Sequence, residues 1–70
     1  MITDTDFRVW QATVKVDGKP ATSGDIGRLL GRTPNTIVNF RRRGVPTGDE
    51  PLMRLAMSAI SNGLAPWVKP

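Results

Sequence analysis

The sequence predicts an all-α fold: a compact domain of four helices with a helix-turn-helix at its centre. Three observations carry this reading. In residues 26–44, IGRLLGRTPNTIVNFRRRG, apolar side chains recur at helical spacing in two short blocks. Gly31 breaks the first block and Thr33-Pro34 opens the second, a left-handed stop followed by an N-cap and a first-turn proline. Between Ile26 and Gly48 stand five arginines (Arg28, Arg32, Arg41, Arg42, Arg43) and no acid. The second of these helices therefore ends in a cationic block suited to a polyanion.

The elements follow in order. Met1 to Thr3 are expected to fray. Thr3, Asp4 and Thr5 are capping residue types, and a first helix from about Asp4 to Val14 aligns Phe7, Trp10 and Val14 on one face. The next segment stays open. Thr13 to Val16 alternates and is β-branched, and Asp17-Gly18 is a strong hairpin signal, so residues 13–22 form either a hairpin or a loop. Lys19-Pro20 cannot continue a helix.

The helix-turn-helix spans about residues 23–43. Its first helix, Ser23 to Leu30, is capped by Thr22 or Ser23, carries Asp25 against its dipole, and turns Ile26, Leu29 and Leu30 inward. Gly27 costs about 1 kcal/mol against alanine inside a helix; close passage of the next helix would account for it. That next helix, capped by Thr33, points Ile37 and Phe40 inward and ends at Gly44-Val45-Pro46.

A fourth helix over about residues 50–62 starts with Asp49 as cap and Pro51 in its first turn. Leu52, Leu55, Ala56, Ala59 and Ile60 form a stripe expected to face the core. Met53 and Met57 either fill core gaps or widen a contact between copies. Asn62-Gly63 stops the helix. The tail, Leu64 to Pro70, holds Trp67 between two prolines and is expected to fold back or meet a partner.

Composition narrows the chemistry. Seventy residues make one domain, too small for a roomy catalytic cleft on top of a packed core. There is no cysteine and no histidine. Disulfides, thiolate or imidazole metal sites and imidazole acid–base catalysis are excluded. The acids Asp4, Asp6, Asp17, Asp25, Asp49 and Glu50 form no spaced pair that reads as a site. The expectation is a protein that is not an enzyme, with no cofactor, no metal and no small-molecule substrate. The net charge is +4, and the pI of about 10.8 exceeds the value of about 9 typical of nucleic-acid-binding domains. No apolar run reaches the roughly 18 residues of a membrane span. The start, with Asp4 and Asp6, does not read as a signal peptide. A cytoplasmic location follows as an expectation.

The central stretch resembles the Cro/repressor-like helix-turn-helix family of small phage and bacterial regulators. Ile26-Gly27 stands for that family's Leu-Ala pair, Leu30-Gly31 and Thr36-Ile37 match, Thr33 is the cap, and Phe40 replaces the usual tryptophan. The ending RRRGVP is similar to the YdaS/Cro-like subgroup. LAMSAISNGLAPW resembles the last helix of short phage regulators, among them anti-CRISPR-associated autorepressors. Two features depart from the pattern: Lys15 to Thr22 is a longer link than usual, and Arg41 stands where glutamate is common.

The resemblance implies a lambda-repressor-like fold and double-stranded DNA as partner. The third helix would enter the major groove, with Asn35, Val38, Asn39 and Arg42 reading bases. Phosphate contacts would come from Ser23, Arg32, Thr33, Thr36, Arg41 and Arg43, with Arg28 and Lys19 at the rim. Such proteins pair on palindromes, so a homodimer through Met53, Met57, Ile60, Leu64 and Trp67 is expected. The function implied is transcriptional regulation, as a phage or mobile-element repressor in a bacterial host. Two alternatives stand beside it: an excisionase- or terminase-type DNA-binding accessory protein, and a protein-binding anti-defence module on the same scaffold.

Overall fold

A computed structural model describes residues 1–64 and 67. It is mostly helical, with α1 (Asp4–Thr13), α2 (Ser23–Leu30), α3 (Pro34–Arg43) and α4 (Glu50–Ser61), and it carries a small sheet of β1 (Lys15–Val16) and β2 (Lys19–Pro20). The all-α expectation is corrected by this hairpin. Helix and hairpin are not alternatives; α1 ends at Thr13 and the strands pair antiparallel directly after it, Lys15 opposite Pro20 and Val16 opposite Lys19. Asp17 and Gly18 both take positive φ, 53° and 78°, the backbone that a two-residue hairpin turn needs to match strand twist. At the foot of the hairpin the Ala21 N–H donates to Val14 O at 3.0 Å, and Gln11 Nε2 donates to Ala21 O at 3.2 Å.

Local sequence sets the helix ends. Thr3 and Thr22 begin α1 and α2 with reciprocal capping boxes, each threonine accepting from the backbone of an aspartate three residues on, Asp6 and Asp25, whose carboxylate accepts in return. Gly31 ends α2 at φ 69°. The chain then turns over Gly27, whose carbonyl accepts from Arg32 N–H at 2.8 Å. A Cβ on Gly27 would stand 2.6 Å from Arg32 O and 3.5 Å from Pro34 N. The close approach expected at Gly27 is therefore made by the connecting turn rather than by the body of α3.

The core is continuous. Phe7, Ile26, Ile37 and Met53 are fully buried, joined by Ile2, Val14, Ala21, Leu30, Phe40 and Val45. Removing each large side chain from water contributes about 1.5–3 kcal/mol. Phe7 ties α1 to α3 through an edge-on contact with Phe40 at 5.4 Å between centroids. Trp10 is half-buried, and its Nε1–H reaches α4, donating to Ser61 Oγ at 2.8 Å. α3 packs against both α1 and α2, with α4 against α2.

Three expectations are overturned. Met1 to Thr3 do not fray: Ile2 is buried, its carbonyl accepts from Val45 N–H at 3.0 Å, and Thr3 caps α1. The segment lies against Gly44, where a Cβ would meet Ile2 O at 2.7 Å. Asp49 precedes α4 but makes no side-chain cap. The stripe of α4 is also rotated. Met53 is fully buried, with Ala56, Met57 and Ile60 packed beside it, while Leu52 and Leu55 point to solvent. Met53 therefore cannot serve a contact between copies, and Met57 and Ile60 spend much of their surface inside the protomer. Of the tail, Leu64 and Trp67 are described and both are exposed; the rest of that expectation lies outside the described residues. Among the described residues, no helix is long and apolar enough to cross a membrane.

Candidate nucleic-acid interface

α3 divides cleanly into an inner and an outer side. Ile37 and Phe40 are buried. Asn35, Val38, Asn39 and Arg42 stand at i, i+3, i+4 and i+7, which brings them onto one stripe opposite the buried pair. Asn35, Asn39 and Arg42 are exposed and Val38 is half-buried. Seven steps of about 1.5 Å from Asn35 to Arg42 make this stripe about 10 Å long. Arg43 and Thr36 flank it on one side, Arg41 and Pro34 on the other. The sequence-derived base-reading set is thus one surface, presented by a helix anchored on two sides.

The charges sort themselves into those already satisfied and those that are not. Arg8 pairs with Asp4, Arg28 with Asp25, and Arg54 with Glu50. The Met1 ammonium also lies 3.0 Å from Glu50. Arg32, Arg41, Arg42 and Arg43 form no ion pair among the described residues, and all four belong to α3 or to the turn that leads into it. Arg32 and Arg41 are half-buried, while Arg42 and Arg43 are exposed. Arg28, considered a rim candidate, is answered within its own helix; Lys19 lies on β2, exposed and without an ion pair among the described residues.

The helix starts differ in the same sense. The Asp6 carboxyl is held below its ordinary value of 3.8 by the Thr3 backbone N–H and then the Thr3 hydroxyl. Asp25 is lowered in the same way by the Thr22 backbone N–H and hydroxyl, with Arg28 adding to the effect. α3 has a threonine cap too, since Thr33 Oγ1 accepts from Thr36 N–H at 3.3 Å. At the third position, however, it carries Thr36, whose hydroxyl lies 3.0 Å from that of Thr33. No acid stands in its first turn, so no carboxylate of its own offsets the positive end of the α3 dipole. Ser23, expected to contact phosphate, is half-buried in the first turn of α2, which also carries Asp25.

The residues expected to join copies divide between the core and the surface. Met53 lies in the core, and Leu64 lines a groove with Leu29 and Ile60. Trp67 is exposed. Sequence reasoning passed over Leu52 and Leu55 as surface residues because they share the helical period of the core face. It also passed over Gln11, a buried polar residue whose Nε2 holds the hairpin foot and whose Oε1 has no partner among the described residues. Comparison of the chain with family models, curated proteins and solved structures returns no match.

Proposed function

We propose that this chain is a sequence-specific double-stranded DNA-binding regulator in which α2, the Gly31 turn and α3 act as a helix-turn-helix. A repressor of phage or mobile-element type, binding a palindrome as a pair of copies in the cytoplasm of a bacterial host, is the form favoured by its resemblance to Cro/repressor-like regulators. The observation that carries the reading is the outer face of α3. Two asparagines and an arginine stand exposed there in one stripe, bordered by arginines with no acid beside them. Asparagine can bond adenine N6 and N7 together, and arginine guanine O6 and N7. Val38 offers a methyl surface for thymine. Arg32, Arg41, Arg43 and the acid-free start of α3 suit flanking phosphates.

The test is a mobility shift or anisotropy titration on DNA upstream of the chain's own gene, at fixed salt. Asn39→Ala and Arg42→Ala are each expected to cost about 1–3 kcal/mol at the cognate site, roughly 5- to 150-fold in affinity, with little change on unrelated DNA. Arg43→Ala should weaken all DNA alike and reduce the salt slope by about 1. Wild-type affinity of both Asn39→Ala and Arg42→Ala at that site, or no binding to any duplex at low salt, would refute the reading.

A further inference from the structure

Asn62 and Gly63 end α4, and the pair carries a reactivity that the other asparagines of the chain lack. Asn35 is followed by Thr36 and Asn39 by Phe40, while Asn62 alone is followed by glycine. The side-chain carbonyl carbon of an asparagine can be attacked by the backbone nitrogen of the next residue, and a glycine there leaves that nitrogen unshielded. Asn62 and Gly63 are both exposed, so water reaches the site. Within the folded helix end the attack is blocked. The Gly63 N–H is donated to Ile60 O at 3.0 Å. Asn62 Nδ2 donates to Ser58 O at 2.8 Å, which draws the amide back along the helix. Asn62 has ψ 8°, which turns the Gly63 nitrogen away from the Asn62 side chain it would have to reach.

We propose that Asn62-Gly63 is a self-modification site, gated by the last turn of α4, at which the Asn62 amide is hydrolysed to a carboxylate. When the turn opens, the Gly63 nitrogen attacks Asn62 Cγ. The N–Cγ bond forms, the Cγ–Nδ2 bond breaks, and Nδ2 leaves as ammonia with the proton from the Gly63 nitrogen. The cyclic imide so made takes up one water. Cleavage at Cγ returns the ordinary backbone with aspartate at position 62. Cleavage at the main-chain carbonyl leaves Gly63 attached through Cγ, an isoaspartate linkage one carbon longer.

The gate is lightly held. The last turn carries no basic residue to complement the helix dipole, and helix ends open at low cost. A side-chain bond from Trp10 Nε1–H to Ser61 Oγ, 2.8 Å long, ties the turn to α1. Either product widens the gate. A carboxylate at the negative end of a helix is unfavourable, and once ionised it cannot donate to Ser58 O. The longer linkage also shifts the Gly63 and Leu64 N–H groups out of register with Ile60 O and Ala59 O. The modification thus records an opening of this end of the molecule and then sustains it, lowering the net charge of +4 by one.

The test holds the full chain at mildly alkaline pH without DNA and follows it by peptide mapping with mass spectrometry that separates aspartate from isoaspartate. Wild type, Ser61→Ala, and both chains unfolded in urea are followed side by side. Conversion is expected at position 62 and not at Asn35 or Asn39. An end turn open about a tenth of the time reacts about tenfold more slowly than the unfolded chain, and that is the ratio expected between buffer and urea. Ser61→Ala removes one hydrogen bond from the turn, so it should speed conversion in buffer roughly 2- to 10-fold and leave the rate in urea unchanged. The proposal is overturned if folded and unfolded chains convert equally fast, or if Asn35 or Asn39 converts first. It is equally overturned if position 62 keeps its amide in the folded chain over many half-lives of the unfolded one, or if Ser61→Ala in buffer converts no faster than wild type. No residue of α3 takes part, so the DNA-binding reading stands or falls separately.

Discussion

Arg28 and Arg42 are both exposed arginines on neighbouring helices, yet they differ in what remains to be satisfied. Arg28 has Asp25 one turn away, whereas Arg42 has asparagines and arginines for neighbours and no ion pair among the described residues. The same asymmetry runs through the three threonine caps, two of which are completed by an aspartate while the third, at Thr33, is followed by Thr36. Replacing Thr36 by aspartate would give α3 the same box. Thr36→Asp is expected to raise stability by about 0.3–1 kcal/mol, as an acid in the first turn of a helix does. It should lower affinity for every DNA sequence, because it puts a carboxylate where phosphates would lie. Denaturant melts and a titration at matched salt check the two effects together. A variant that is more stable and binds DNA as well as wild type would remove the start of α3 from the interface.

At the scale of elements, the turn between α2 and α3 packs closely on Gly27. Alanine usually improves a helix over glycine by about 1 kcal/mol, but at Gly27 the added methyl would meet the Arg32 carbonyl at 2.6 Å. Gly27→Ala is therefore expected to lose about 1–3 kcal/mol, the range for overpacking, measured by urea unfolding; a gain in stability would mean the turn can relax. Much of this level was readable in the sequence. Gly31, Thr33-Pro34 and Gly44 mark the ends of α2 and α3 where the structure has them, because caps and left-handed stops are decided within a few residues. The hairpin's Asp-Gly turn was readable for the same reason. The burial of Ile2 was not, since it depends on a backbone bond to Val45 across the chain. Nor was the choice between the two apolar arcs of α4: Leu52 and Leu55 keep the same period as Met53 and Met57, and only docking against α2 and Trp10 selects the inner one. The outer stripe of α3 followed from its spacing once Ile37 and Phe40 were assigned inward.

For the molecule as a whole, acid stability follows from where its carboxylates sit. Asp6 and Asp25 have lowered folded values, so the stability they contribute is present above the ordinary carboxylate range. It is lost as the pH falls through those lowered values. With no histidine in the chain, no imidazole titrates between pH 5 and 8. Thermal melts should therefore be nearly flat from about pH 5 to 7 and fall below about pH 4. The double variant Asp6→Asn, Asp25→Asn should be less stable at neutral pH and show a shallower acid limb. An acid limb unchanged in the double variant would assign it to other groups. Finally, the side chains of Asn35, Asn39 and Arg42 make no hydrogen bond to the described residues and take no share in the core. Mutational drift at these three sites is nearly free of folding penalty. A library randomised at these three sites should consist mostly of soluble, cooperatively melting members.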